Sequence, residues 1–151
     1  MKGFIITVHY NEKNDLLLEF INNLNRFLNE ELILIILNNN PNKEVSSLIN
    51  EIFQNRYIKV YDLKHNLGYF GAFKYFINNL FKGNFDFLII CNDDTEVINE
   101  DFFKYLKKEF YNTYKNYDII APSIITSEGI EQNPHSLKKP DILKIFYYKI
   151  Y

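Results

Sequence analysis

Short apolar runs alternate with stretches of helical spacing, and this alternation constrains the fold more than any other feature of the chain. Phe4-Ile5-Ile6-Thr7-Val8 and Leu32 to Leu37 read as strands buried on both faces. Between them Leu16, Leu17, Phe20, Ile21, Leu24, Phe27 and Leu28 share one helical stripe, with Asn14-Asp15 suited to cap its start. Val45, Leu48, Ile49, Ile52 and Phe53 repeat that spacing, and Tyr57 to Tyr61 reads as a third strand. Phe73, Phe76, Ile77, Leu80 and Phe81 mark a third helix, ended near Gly83. Phe85 to Cys91 follows as a fourth strand, and Phe102, Phe103, Leu106 and Phe110 lie on a fourth helix behind Asn99. Tyr117 to Ala121 reads as a fifth strand, stopped by Pro122. Strands and helices taking turns in this way predict an α/β layer fold with a mainly parallel sheet.

Such a sheet carries its chemistry beyond the carboxyl ends of its strands. Those ends fall at His9 to Lys13, Asn38 to Lys43, Leu63 to Gly71 and Asn92 to Val97. Composition narrows what they can do. A net charge of -2 lacks the basic excess that nucleic-acid binding needs. One cysteine, Cys91, gives neither a disulfide framework nor a thiolate zinc cage, so burial alone must hold the fold, as a reducing cytoplasm requires. The first apolar run is interrupted by His9 after five residues, which does not match a secretory leader. The chain is also rich in residues with A/T-rich codons, 21 Asn and 21 Ile among them, so a single Asn carries less weight here than elsewhere.

Asn92-Asp93-Asp94-Thr95-Glu96 closes the fourth strand. Two adjacent carboxylates at a sheet edge suit a hard divalent cation, which prefers oxygen and often shares a substrate's phosphates. The plainer account is a turn that caps the next helix. Asn66-Leu67-Gly68-Tyr69-Phe70-Gly71-Ala72 is a loop with two glycines entering a helix, where backbone can approach a ligand, or where glycine simply serves a tight turn. It is not a dinucleotide fingerprint. His9-Tyr10-Asn11-Glu12 can floor a base or ribose pocket, and Asn38-Asn39-Asn40-Pro41 can hydrogen-bond a base edge. His9 and His65 lack the Cys/His neighbours of a zinc site. Cys91, just inside a buried strand, reads as packing rather than nucleophile.

Taken in order, these segments resemble a family 2 glycosyltransferase of the GT-A fold, in particular its bacterial rhamnosyltransferase-like branch. FIITVHYNEKNDLLLEFINNL is similar to the family's first strand, Tyr-Asn turn and first helix. LILIILNNNP resembles the second strand and its Asp-Asn-x-Ser turn, with Asn38 where Asp is usual. NLGYFGAFKYFI matches the Asn-x-Gly loop and following helix, with Lys74 where Asn is common. FDFLIICNDDTEV resembles the strand carrying the DxD-type motif in its Asn-Pro-Asp-Thr form: Asn92 takes the first place, Asp93 replaces Pro, and Asp94 keeps the last carboxylate. IIAPSIITSEGIEQNP resembles the start of the acceptor side, so the likeness runs from residue 3 to about 135.

The resemblance implies a Rossmann-like three-layer α/β/α sandwich and a UDP- or dTDP-linked sugar donor. It implies donor contacts from Val8, Tyr10, Asn11, Glu12, Asn38, Asn39, Asn66, Gly68, Asn92 and Asp93. It implies Mg²⁺ or Mn²⁺ on Asp94 with Asn92, helped by Asp93 and bridging the phosphates. Asn38 in place of Asp keeps a hydrogen-bonding edge but loses an acceptor-only carboxylate, which can shift base selectivity. The implied reaction is an inverting displacement onto a saccharide or lipid-linked saccharide in cell-surface polysaccharide synthesis, in the cytoplasm or, alternatively, peripherally at the inner face of the membrane. The family's base lies well past the DxD motif. Here 57 residues follow Asp94, and Glu128, Glu131 and Asp141 match no motif. On this reading residues 1–135 form the donor-binding domain, shortened in its acceptor half, and 136–151 a basic, aromatic helix or tail. That tail packs as an ordinary terminal helix or, alternatively, meets a membrane surface or a second copy of the chain. Two rivals remain: a donor-binding protein without transfer, and a nucleotidyltransferase, whose Gly-rich basic loop near the first strand is missing from HYNEKND.

Overall fold

The computed structural model describes residues 1–10, 13–113, 122–126 and 128–131. The chain forms two compact units, Met1–Lys104 and Tyr105–Tyr151. In the first, β1 spans Gly3–His9, α1 Asp15–Asn25, β2 Leu32–Asn38, α2 Ser46–Phe53, β3 Ile58–Asp62, α3 Tyr69–Tyr75 and β4 Phe87–Ile90. A fourth helix, α4, runs Phe102–Thr113 and passes from the first unit into the second. In the second unit Ile125 bridges Glu131 around a turn in which Gly129 has φ +79°. The predicted fifth strand and the 136–151 tail lie outside the described residues. Among the described residues no helix is long and apolar enough to cross a membrane.

The four strands form one parallel sheet in the order β3-β2-β1-β4. Alternation along each strand sends neighbouring side chains to opposite faces. Ile5, Leu34 and Ile36 join Leu17, Phe20, Ile21 and Leu24 of α1 and Ile49 of α2 in one cluster. Phe4, Ile6, Val8, Ile35 and Leu37 join Ala72 and Phe73 of α3 and Phe76 on the other face. Helices on both sides of a parallel sheet make the three-layer α/β/α architecture, of the Rossmann-like kind expected. Leu34, Ile36 and Leu37 of β2 are wholly buried, each contributing about 2 kcal/mol of burial.

Several boundaries differ from the sequence reading. The third strand runs Ile58–Asp62 rather than Tyr57 to Tyr61, which brings Asp62 to its carboxyl end. The fourth is limited to Phe87–Ile90, because β1 offers it only Gly3 to Ile6 as partners. Phe85 instead turns its ring onto Phe4 and Phe81. The third helix leaves α geometry after Tyr75: Phe76–Leu80 is a π-helical turn in which Phe81 N–H donates to Phe76 O at 2.8 Å. Leu16 and Ile52, placed on the apolar stripes, are about half exposed. Asn14 precedes α1 as expected but makes no side-chain cap, since its carbonyl oxygen is used elsewhere.

Candidate functional site

All four strands are parallel, so their carboxyl ends share one edge. From β1 the chain steps to β2 and β3 on one side, and β4 lies on the other side of β1. The reversal between β1 and β4 is the topological switch point, where open α/β sheets form their binding crevice. His9 ends β1 on one flank of it, and residues 91–96 leave β4 on the other.

His9 is 1% exposed and joins the parts of this edge. Its Nδ1 lies 2.5 Å from Asp93 Oδ2, across the switch point. Its Nε2 lies 3.3 Å from Asn14 Oδ1, which also accepts from Lys43 Nζ at 3.0 Å. Its backbone carbonyl accepts from Asn39 N–H at 2.7 Å.

The asparagine turn after β2 is held from within. Asn38 is fully buried and donates from Nδ2 to Lys43 O at 2.5 Å and to Asp62 Oδ1 at 2.6 Å, while its own carbonyl accepts from Asn40 N–H. Asp62 also accepts from Val45 N–H and Ser46 N–H, closing the start of α2. Burial alone would raise the Asp62 carboxyl, but the donors from Ser46, Asn38 and Val45 outweigh it and hold it below its ordinary value. Asn39 is buried and faces the glycine loop: its Nδ2 donates to Asn66 Oδ1 at 2.9 Å and its Oδ1 accepts from Leu67 N–H at 2.9 Å. Asn66 Oδ1 also accepts from Gly68 N–H, and Gly68, at φ +69°, turns the chain into α3.

Past β4, Asp93 is 9% exposed and turned toward His9, whereas Asn92 and Asp94 are exposed. Thr95 Oγ1 donates to Asn92 O at 2.8 Å, fixing a turn that caps no helix, because α4 starts only at Phe102 behind Asn99. A cavity of about 520 Å³ lies between α1 and this turn, lined by Glu19, Asn23, Arg26, Asp93, Asp94 and Glu96 among others. Tyr69, first residue of α3, sits within the field of the turn. Its hydroxyl is pushed up, chiefly by burial and further by the negative charge of Asp93 and Asp94. Burial, with a further push from Asp93, raises the Cys91 thiol to about 12 and keeps it a neutral packing group.

Among the described residues no three His, Cys, Asp or Glu side chains converge as a metal cage. The Asp94 carboxylate and Asn92 amide are both exposed oxygen donors, the chemistry a hard divalent cation prefers. The oxygen-only donor set fits magnesium or manganese and excludes a thiolate zinc site.

The family model for glycosyl transferase family 2 matches residues 4–150. The chain belongs to that family. No curated protein matches it. As a family 2 member it carries the family's sugar-transfer class of activity, with a nucleotide-sugar donor and an acceptor as its substrates.

Within this transferase the residues singled out in sequence fall into linked groups. Asn39, Asn66 and Gly68 form one hydrogen-bonded set, Asn38 is bonded instead to Lys43, Asp62 and Asn40, and Tyr10 is half exposed. Asn92, Asp93 and Asp94 follow β4, and the cavity that Asp93 and Asp94 line is not lined by Asn38, Asn39, Asn66 or Gly68. His9 joins the two. Val8 is buried against the α3 face. Asn11 and Glu12 lie outside the described residues, as does Asp141. Glu128 and Glu131 are exposed in the second unit, where Glu131 accepts from the Ser123 hydroxyl at 2.7 Å. Sequence reasoning missed Asp62, Asn14 and Lys43 as members of the assembly, and gave His9 only a floor's role. A carboxylate ending a strand was the one available signal for Asp62.

Proposed function

We propose that this transferase moves a sugar from a UDP- or dTDP-linked donor onto a saccharide acceptor of cell-surface polysaccharide, as a rhamnosyltransferase-like member of its family. The observation that carries the reading is the exposed Asp94 carboxylate at the switch point. Tyr10 and the Asn39–Asn66 pair line the nucleoside end. Asn38, both of whose amide hydrogens are engaged, shapes that turn rather than reading a base. Asp94 and Asn92 would hold Mg²⁺ or Mn²⁺. When bound, the cation supplies charge neutralisation to the departing diphosphate.

In the inverting displacement the acceptor oxygen bonds to the anomeric carbon as the bond from that carbon to the diphosphate breaks. The hydroxyl proton passes to a carboxylate base.

Calorimetric titration of UDP and dTDP, with and without Mn²⁺, tests the donor half of this reading. Binding that needs Mn²⁺ and disappears in Asp94→Ala is the expected result. Binding of neither nucleotide to folded protein overturns it. Transfer or donor hydrolysis in the presence of an acceptor separates an enzyme from a protein that only binds the donor.

A further inference from the structure

We propose that the cavity between α1 and the turn after β4 binds a sugar ring that carries no negative charge. The inference rests on the reading that this edge transfers a sugar, and adds where a ring sits and what charge it bears. At about 520 Å³ the cavity falls within the size range of small-molecule sites.

One face of α1 builds a wall of it. Leu16, Glu19, Phe20 and Asn23 follow the i, i+3, i+4, i+7 spacing, with Arg26 a turn further on. Asn23 fastens that wall to the turn after β4. It donates from Nδ2 to Val97 O at 3.2 Å and to Glu96 Oε1 at 3.3 Å, and its Oδ1 accepts from Val97 N–H at 2.9 Å. Both walls thus belong to one hydrogen-bonded frame.

The lining has two characters. Phe20, buried, and Leu16, half exposed, offer apolar surface to the C–H face of a ring. Glu19, Asn22 and Asp94 offer polar groups committed to no hydrogen bond among the described residues. Carboxylates accept from hydroxyls, and an apolar patch with a few polar groups is what a small-molecule site uses. Acids dominate the charge: within the lining Glu19, Asp94 and Glu96 are opposed by Arg26 alone, and Arg26 Nη1 lies 3.5 Å from Glu100 Oε1. A diphosphate or a uronate entering here meets like charge. Among the described residues these acids do not converge as a metal cage, so the lining suits a spread ring rather than one ion. The ring it accepts is neutral or bears an amino group.

Nuclear magnetic resonance titration of the isotope-labelled full chain tests this. The probes are the methyl glycosides of glucose, glucosamine and glucuronic acid, added without nucleotide or metal. The first two are expected to move the signals of α1 and of the Asn22 and Asn23 side-chain amides. The glucosaminide should bind at least about fivefold more tightly than the glucuronide. Glu19→Lys, at an exposed helix position that tolerates lysine, should reverse that preference. Repeating the glucoside titration with UDP-glucose or UDP present, each with Mn²⁺, separates the two sources of a ring. A glucoside displaced by UDP-glucose but not by UDP marks the donor's own sugar, and one that still binds marks the acceptor's.

No movement of the α1 signals by any of the three probes overturns the proposal. So does a glucuronide that binds as tightly as the glucosaminide, or a Glu19→Lys protein with the preference unchanged. A glucoside displaced by UDP alone overturns it too, because the nucleotide then fills the cavity. The first titrations need neither nucleotide nor cation. Failure of Mn²⁺-dependent UDP binding therefore refutes the donor reading and leaves their result standing.

Discussion

Asn38 Nδ2 donates to Asp62 Oδ1 at 2.6 Å, joining the carboxyl ends of β2 and β3 at the edge where the site is built. The pair explains why an amide suits position 38. An aspartate at 38 would set two carboxylates against each other, one of them wholly buried. Asn38→Asp is therefore expected to lose about 2 kcal/mol of stability at pH 8, from a lost buried donor and like-charge repulsion. One of the paired carboxyls is raised in the folded variant, so the deficit should shrink at pH 4.5 as a proton enters the pair. Urea unfolding at both pH values checks this, and an equal deficit at both would refute it.

Asp62 also sets an acid limit. Its folded carboxyl lies below its ordinary value of 3.8, so its contribution is fully present above that value. It is lost as pH falls through the depressed folded value. Wild type should show a steepening loss of stability below about pH 4, and Asp62→Asn a shallower one. Denaturant midpoints measured from pH 6 down to pH 2.5 separate the two curves.

Gly3 occupies a position where β1 and β4 admit no side chain. A Cβ there would run into the ring of Phe87, its partner across the pair. Gly3→Ala is expected to lower stability by about 1–3 kcal/mol through overpacking. Gly3→Ala/Phe87→Leu should recover part of the loss. Thermal melts of the two variants against wild type measure it, and additive losses would refute the steric account.

Cys91 should be chemically quiet while the protein is folded. With its thiol raised to about 12, little thiolate forms at pH 8, and the side chain is partly buried. Reaction with an aromatic disulfide reagent is expected to be slow in buffer and complete on unfolding in urea. Cys91→Ala should retain sugar transfer. Rapid labelling of the native protein, or loss of transfer in a folded variant, would show a role beyond packing.

Hydrophobic periodicity determined the number, order and type of the first four strand–helix pairs, because burying an apolar face is a property of local spacing. It also located the strand ends that carry the chemistry, since turn residues and glycines punctuate the chain there. It did not set boundaries. The π-helical turn at Phe76–Leu80 and the shortened β4 follow from which partner each segment finds, not from its own residues.

The site divides in the same way. Asn39, Asn66 and Asp94 were legible as polar residues at strand ends and Gly68 as a turn glycine. That Asp93 turns inward while Asp94 faces out was not, because both are the same residue in the same turn. Only the tertiary structure places His9 beside one of them, bringing together residues 84 positions apart in sequence. The same holds for Asn38 and Asp62, 24 apart. Sequence fixes which side chains can donate or accept. The parallel sheet decides which donor meets which acceptor, because pairing across strands depends on register and not on neighbourhood along the chain.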